Sequence, residues 1–121
     1  MYTGGVSTGE SRPVRIEFLQ GTLDVLILRS LQLAPKHAYG ISQFIRGESE
    51  GQFVADNGSL YPALQRLHQR QLVITQWKNS PSGRRAKYYE LTPSGRNYLV
   101  EATAKWRRFV GAMGQVLGSE G

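Results

Sequence analysis

The 121-residue chain contains no cysteine and only two histidines, His37 and His68. Disulfides, thiolate metal sites and cysteine nucleophiles are therefore excluded, and a histidine-built metal centre lacks ligands. The two histidines read as a packing residue and a surface residue. A reducing, cytoplasmic compartment suits such a chain. Its longest aliphatic run, Val25 to Leu28, falls far short of the roughly 20 apolar residues that a spanning helix needs. The N-terminus also lacks the basic, then apolar, then small-residue order of a signal peptide, so no membrane partner is expected. Catalytic signatures are missing too. No Gly-x-Ser-x-Gly elbow occurs, Gly111, Gly114 and Gly118 do not form a strand-to-helix phosphate loop, and no paired carboxylates sit near a histidine. Neither an enzyme nor a cofactor is expected.

The most informative gap is one of negative charge. No Asp or Glu occurs between Asp56 and Glu90, whereas Arg66, Arg70, Lys78, Arg84, Arg85 and Lys87 all fall in that window. The net charge is +6, so this window carries the whole excess and the remainder of the chain is balanced. Charge gathered in this way is the footprint of a surface that meets a polyanion. Nucleic acid fits better than an anionic membrane, because no basic amphipathic helix with an exposed apolar face accompanies the charge. A basic protein whose charge serves only solubility would share the net value. The hydrophobic content of 40% supports a single globular domain with its own core.

Residues 1–14, with Gly4, Gly5 and Gly9 and no apolar periodicity, read as a flexible tail. A first helix opens at Gly21-Thr22-Leu23-Asp24, with Thr22 as N-cap and Asp24 in the first turn, where the helix dipole favours an acid; Pro35 ends it. Its Leu19, Leu23, Val25, Leu26, Ile27, Leu28 and Leu31 are apolar on nearly every face, which calls for burial on two sides and hence for a partner subunit. Tyr39, Ile41, Phe44 and Ile45 mark a short second helix ending at Gly47, and Phe53-Val54 a brief strand or linker. A third helix, capped by Asp56 or Ser59, turns Leu60, Ala63, Leu64 and Leu67 inward. Pro62 favours the later start, since proline is harmless only in the first turn, but the register stays open. Leu72 to Lys78 and Ala86 to Leu91 flank the turn formers Asn79-Ser80-Pro81-Ser82-Gly83, giving a β-hairpin with Arg84 and Arg85 beside its tip. Thr92 as N-cap and Pro93 at the first helical position then start a last helix that runs to Leu117 and stops at Gly118.

This order predicts a mainly α protein: a winged helix-turn-helix of three helices and a two-stranded wing over 15–91, then one long C-terminal dimerisation helix over 92–118. In such a fold the third helix enters the major groove and the wing meets the backbone or minor groove. At about 100° per residue, Tyr61, Pro62, Gln65 and Gln69 oppose the apolar face of the third helix, with Arg66 beside them. Gln65 can donate and accept toward base edges, Ser59 and Tyr61 can donate to phosphate, and Arg66, Arg70, Arg84, Arg85 and Lys87 can neutralise it. An ordinary solvated face would look the same at Gln65 and Gln69. On the last helix, Leu99, Ala102, Trp106, Phe109, Met113 and Val116 recur at steps of three and four, a seam suited to a second copy of the chain. Leu23 and Ile27 would join that homodimer interface; packing onto its own domain alone is the other reading.

Four strings in order resemble the signatures of PadR-type bacterial transcriptional regulators: Gly21-Thr22-Leu23-Asp24, His37-Ala38-Tyr39-Gly40-Ile41, Gly58-Ser59-Leu60-Tyr61-Pro62-Ala63-Leu64-Gln65-Arg66-Leu67, and Gly83-Arg84-Arg85-Ala86-Lys87-Tyr88-Tyr89-Glu90-Leu91-Thr92. Ala38 stands where glycine is frequent and Ala86 where a basic residue is common. The resemblance, from Phe18 to Leu117, implies the short form of the family, which binds a double-stranded operator as a dimer and represses transcription. It also implies DNA contacts at Ser59 and Tyr61 on the recognition helix and at Arg84 and Arg85 on the wing. Family members that respond to planar aromatic compounds suggest a small aromatic effector stacked on Trp106, against the simpler reading of Trp106 as a core residue. A winged-helix module that binds protein instead of DNA is the functional alternative.

Overall fold

The computed structural model describes residues 14–15 and 21–118. Residues 1–13 of the expected tail and Leu19 of the expected first helix lie outside the described residues. The element order is β1 (Val14–Arg15), α1 (Thr22–Ser30), β2 (Lys36–His37), α2 (Ala38–Glu48), β3 (Phe53–Val54), α3 (Asn57–Gln69), β4 (Val73–Asn79), β5 (Arg85–Leu91) and α4 (Pro93–Leu117). This is a winged helix-turn-helix with a long helix appended.

Three helices pack around one core. Ile27 and Leu28 of α1, Ile41 of α2, and Leu60, Ala63, Leu64 and Leu67 of α3 are all within 1% of complete burial, joined by Val73 at the root of the wing. The start of α1 differs from expectation. Gly21, not Thr22, holds the cap position, with φ 85° and no side-chain cap, and its carbonyl accepts from Val25 N–H at 3.4 Å. The chain enters α1 through a left-handed turn that glycine makes without a Cβ clash, and Thr22 becomes a buried helical residue. The register of α3 is settled by Asp56, whose Oδ1 accepts from Ser59 N–H at 3.0 Å. Pro62 therefore sits inside the helix and not in its first turn. It lies on the exposed face, as does Gly58, whose carbonyl it cannot serve as donor.

The wing is an antiparallel pair with Thr75 opposite Tyr89, Trp77 opposite Lys87 and Asn79 opposite Arg85. β2 adds a third strand on the other edge of β5, pairing Lys36 with Tyr89 and His37 with Tyr88. A separate parallel pair joins Val14 to Phe53 and Arg15 to Val54.

The root of the wing is also where α4 begins. Thr92 caps α4 as expected, its Oγ1 accepting from Gly95 N–H at 2.9 Å, and the same hydroxyl donates to the Gln71 carbonyl at 2.8 Å. Thr92 N–H donates to the Leu72 carbonyl at 3.1 Å. Helix and wing root approach so closely that a Cβ on Gly95 would lie 2.1 Å from the Leu72 oxygen. Leu99 then anchors the first half of α4 in the core, and from Val100 onward its apolar side chains are largely exposed. Gly95→Ala should therefore force backbone apart and lower stability by about 1–3 kcal/mol, read as a lower urea midpoint with an unchanged slope.

Candidate nucleic-acid interface

On α3, Tyr61, Gln65 and Gln69 all face solvent, opposite the buried leucines. Residues paired across a hairpin share one of its faces. Trp77, Asn79, Arg85 and Lys87 thus lie on the same face as Val73, Tyr89 and Leu91, which are buried against the helices. Toward the tip that face emerges from the core beside the recognition helix. Together with Tyr61 of α3 and His37 and Tyr39 at the start of α2, Trp77, Arg84, Arg85 and Lys87 line a cleft of about 630 Å³. Among the described residues, no carboxylate lines it. Burial, and secondly the neighbouring Tyr61 phenol, push the Tyr89 hydroxyl above the ordinary tyrosine value.

The basic window divides in two. Arg84, Arg85 and Lys87 line the cleft, Arg85 lying 6.0 Å from the Trp77 ring centroid there, while Arg66, Arg70 and Lys78 have partners elsewhere in the fold. Arg66 Nη2 donates to Asp24 Oδ1 at 2.9 Å, bridging α3 to an almost buried acid of α1. This pair compensates part of the charge expected to meet phosphate, while the Arg66 side chain stays 55% exposed. Arg70 stacks over Tyr98, 4.7 Å from the ring centroid, and Lys78 lies 4.5 Å over Tyr88 on the opposite face of the wing. Ser59 is engaged in the helix cap: its hydroxyl donates to Asp56 Oδ1 at 3.1 Å.

His37, Tyr39 and Trp77 escaped the sequence reading of this surface. His37 does more than pack: Nδ1 accepts from Gly40 N–H at 3.0 Å, so the imidazole caps α2, and its ring meets Tyr88 edge-on at 5.1 Å. Imidazole is outside the usual set of capping side chains, and this left no local signal. Trp77 could have been found, since the period of two places it on the face of Thr75 and Val73.

The expected dimer seam also separates. Leu23, Ile27 and Leu99 are 5%, 0% and 3% exposed in the single chain, so they belong to its own core and are withdrawn from the interface. Ala102 is half-buried, whereas Trp106, Phe109, Met113 and Val116 are exposed along α4. The rings of Trp106 and Phe109 stack at 5.3 Å. With Val25 and Leu26 of α1, Phe53 and Ala102 they border an apolar cavity of about 490 Å³, with Lys105 beside it. Among the described residues no cluster has the ligands for a metal ion, and no helix is long and apolar enough to cross a membrane.

A three-helix core, a basic wing and an acid-free cleft at the recognition helix define a winged helix-turn-helix DNA-binding protein. The profile of the transcriptional regulator PadR-like family matches residues 27–101. A PadR family transcription regulator from hypervirulent Clostridium difficile R20291 is 31% identical and superposes with a TM-score of 0.69, covering 81% of this chain and 100% of that one. A transcriptional regulator from Clostridium thermocellum shares the fold at 24% identity and a TM-score of 0.75, covering 84% and 99% of the two chains. A Lysinibacillus sphaericus protein is 31% identical over 93 residues, 77% of this chain and 85% of the relative. The chain belongs to the PadR-like family of transcriptional regulators, and its activity is DNA-binding regulation, not an enzymatic reaction.

The pair between Asp24 and Arg66 makes its own prediction. Arg66→Ala strands a nearly buried carboxylate and should cost about 1–2 kcal/mol in urea unfolding, the exposure of the guanidinium keeping the effect modest.

Proposed function

We propose that the chain is a repressor that binds an inverted-repeat operator as a homodimer, with α3 in the major groove and the wing on the backbone. The observation that carries this reading is the carboxylate-free cleft in which Tyr61 of α3 meets Arg84, Arg85 and Lys87 of the wing. A phosphate strand supplies the counter-charge that these cations lack among the described residues. A module that binds protein alone would have no need to keep this face free of acids. Gln65, exposed toward the groove side of α3, can read base edges, and Ser59 with Arg66 supports the helix from its two flanks.

The exposed stripe of Trp106, Phe109, Met113 and Val116, with Ala102 half-buried beside it, supports a second copy packing there. An apolar surface of this length on a small domain suits a two-fold helix pairing, which would set the recognition helices about 34 Å apart, one DNA turn. The stacked Trp106–Phe109 plane and the neighbouring Lys105 give a small aromatic acid a place to lie at the same seam, making Trp106 the candidate effector contact.

Two experiments test the reading. Arg84→Ala should weaken binding to every duplex and make the log–log salt slope shallower by about one, while Gln65→Ala should flatten sequence preference at a nearly unchanged slope. An unchanged slope in Arg84→Ala would take the wing off the phosphates. Phe109→Glu places an unpaired carboxylate in the seam, so sedimentation should report monomer and operator binding should disappear with it. A dimer that survives this change would put the interface elsewhere.

A further inference from the structure

The exposed aromatic surface of the cleft is not explained by charge. Trp77 is 56% exposed at mid-wing, with Tyr61 at 51% and Tyr39 at 69% on the facing elements. Trp77 stands directly opposite Lys87, and the Arg85 guanidinium lies 6.0 Å from its ring centroid. Arg85 and Lys87 are two residues apart on one strand, so they project from the same face at a spacing of about 6.8 Å. That spacing is comparable with the separation of successive phosphates along a DNA strand. Between two phosphates the strand presents a deoxyribose, whose faces are apolar, and beside the two cations, on the neighbouring strand opposite Lys87, the wing presents an indole.

We propose that Trp77 is a DNA contact of the wing, its indole packed against a deoxyribose while Arg85 and Lys87 hold the flanking phosphates. The inference rests on the DNA-binding reading and adds to it an apolar contact that is sequence-independent and carries no charge. Its loss should therefore lower affinity without changing how affinity responds to salt, which no loss of a wing cation would do.

The test uses the full chain and a mixed-sequence DNA duplex at low salt. Trp77→Ala should weaken binding about tenfold at an unchanged salt slope, and Trp77→Phe should restore most of that loss. Saturation with duplex should change the tryptophan emission of the wild-type chain, and that change should be absent in Trp77→Phe, where only Trp106 reports. Wild-type affinity in Trp77→Ala, or an emission change that persists in Trp77→Phe, would overturn the contact while leaving DNA binding intact. A wild-type chain that ignores the duplex altogether would overturn the underlying reading and the contact with it. Circular dichroism of both variants separates a lost contact from a lost wing, and the Trp77→Phe emission result stands even where Trp77→Ala is poorly folded.

Discussion

Two consecutive carbonyl oxygens, those of Gln71 and Leu72, tie the recognition helix, the wing and the long C-terminal helix to one another. Thr92 binds both, through its hydroxyl to Gln71 and its N–H to Leu72. Gln71 takes the left-handed conformation at φ 63° that reverses the chain out of α3, and Leu72 N–H returns to the Leu67 carbonyl at 3.0 Å. Gly95 lets α4 approach this junction without a side chain between them. The angle between wing and recognition helix is thus set at the root of the wing, and so is the direction in which α4 leaves the domain. In the proposed dimer, contacts made near Phe109 would be carried back through this junction into the separation of the two reading helices.

Charge acts on this frame locally rather than through the total. The net value of +6 treats the basic window as uniform. In the fold, Arg66, Arg70 and Lys78 are engaged with Asp24, Tyr98 and Tyr88, which hold helix to helix and strand to strand. Arg84, Arg85 and Lys87 remain to line the cleft. Fixed cations on a wing of defined angle discriminate in a way that a diffuse basic surface does not, because backbone contacts set register before any base edge is read. α1 has a part in both halves of the molecule: Asp24 touches α3, while Val25 and Leu26 border the cavity beside α4.

Much of this architecture was legible in the sequence wherever one segment carried its own signal. The leucine spacing of α3, the turn formers between β4 and β5, and the Thr92-Pro93 start of α4 each depend on a few adjacent residues; the wing strands and α4 stand within a residue of expectation, and α3 takes the earlier of its two expected starts. What was missed depends on partners far along the chain. β2 is two residues long and exists because Lys36 and His37 meet Tyr89 and Tyr88. Arg66 finds Asp24 across 42 positions, so no helical wheel could have shown that this exposed side chain also ties α3 to α1. Leu23 and Ile27 were assigned to a partner because α1 is apolar all round, but α2, α3 and α4 surround it sufficiently to bury them within one chain. Pro62 argued for a later helix start by a sound rule that an exposed helix face relaxes. At the candidate site the cations were legible from the acid-free window, whereas the aromatic lining needed the strand register to show which side chains share a face.

The central claim is that the cleft between α3 and the wing holds a DNA strand so that α3 can read sequence. Its most direct test is titration of the wild-type chain with the duplex lying upstream of its own gene, at several salt concentrations and against a scrambled duplex of the same composition. Affinity should fall steeply and linearly on a log–log plot as salt rises, with tighter binding to the native sequence than to the scrambled one at every salt. Affinity indifferent to both salt and sequence would contradict it.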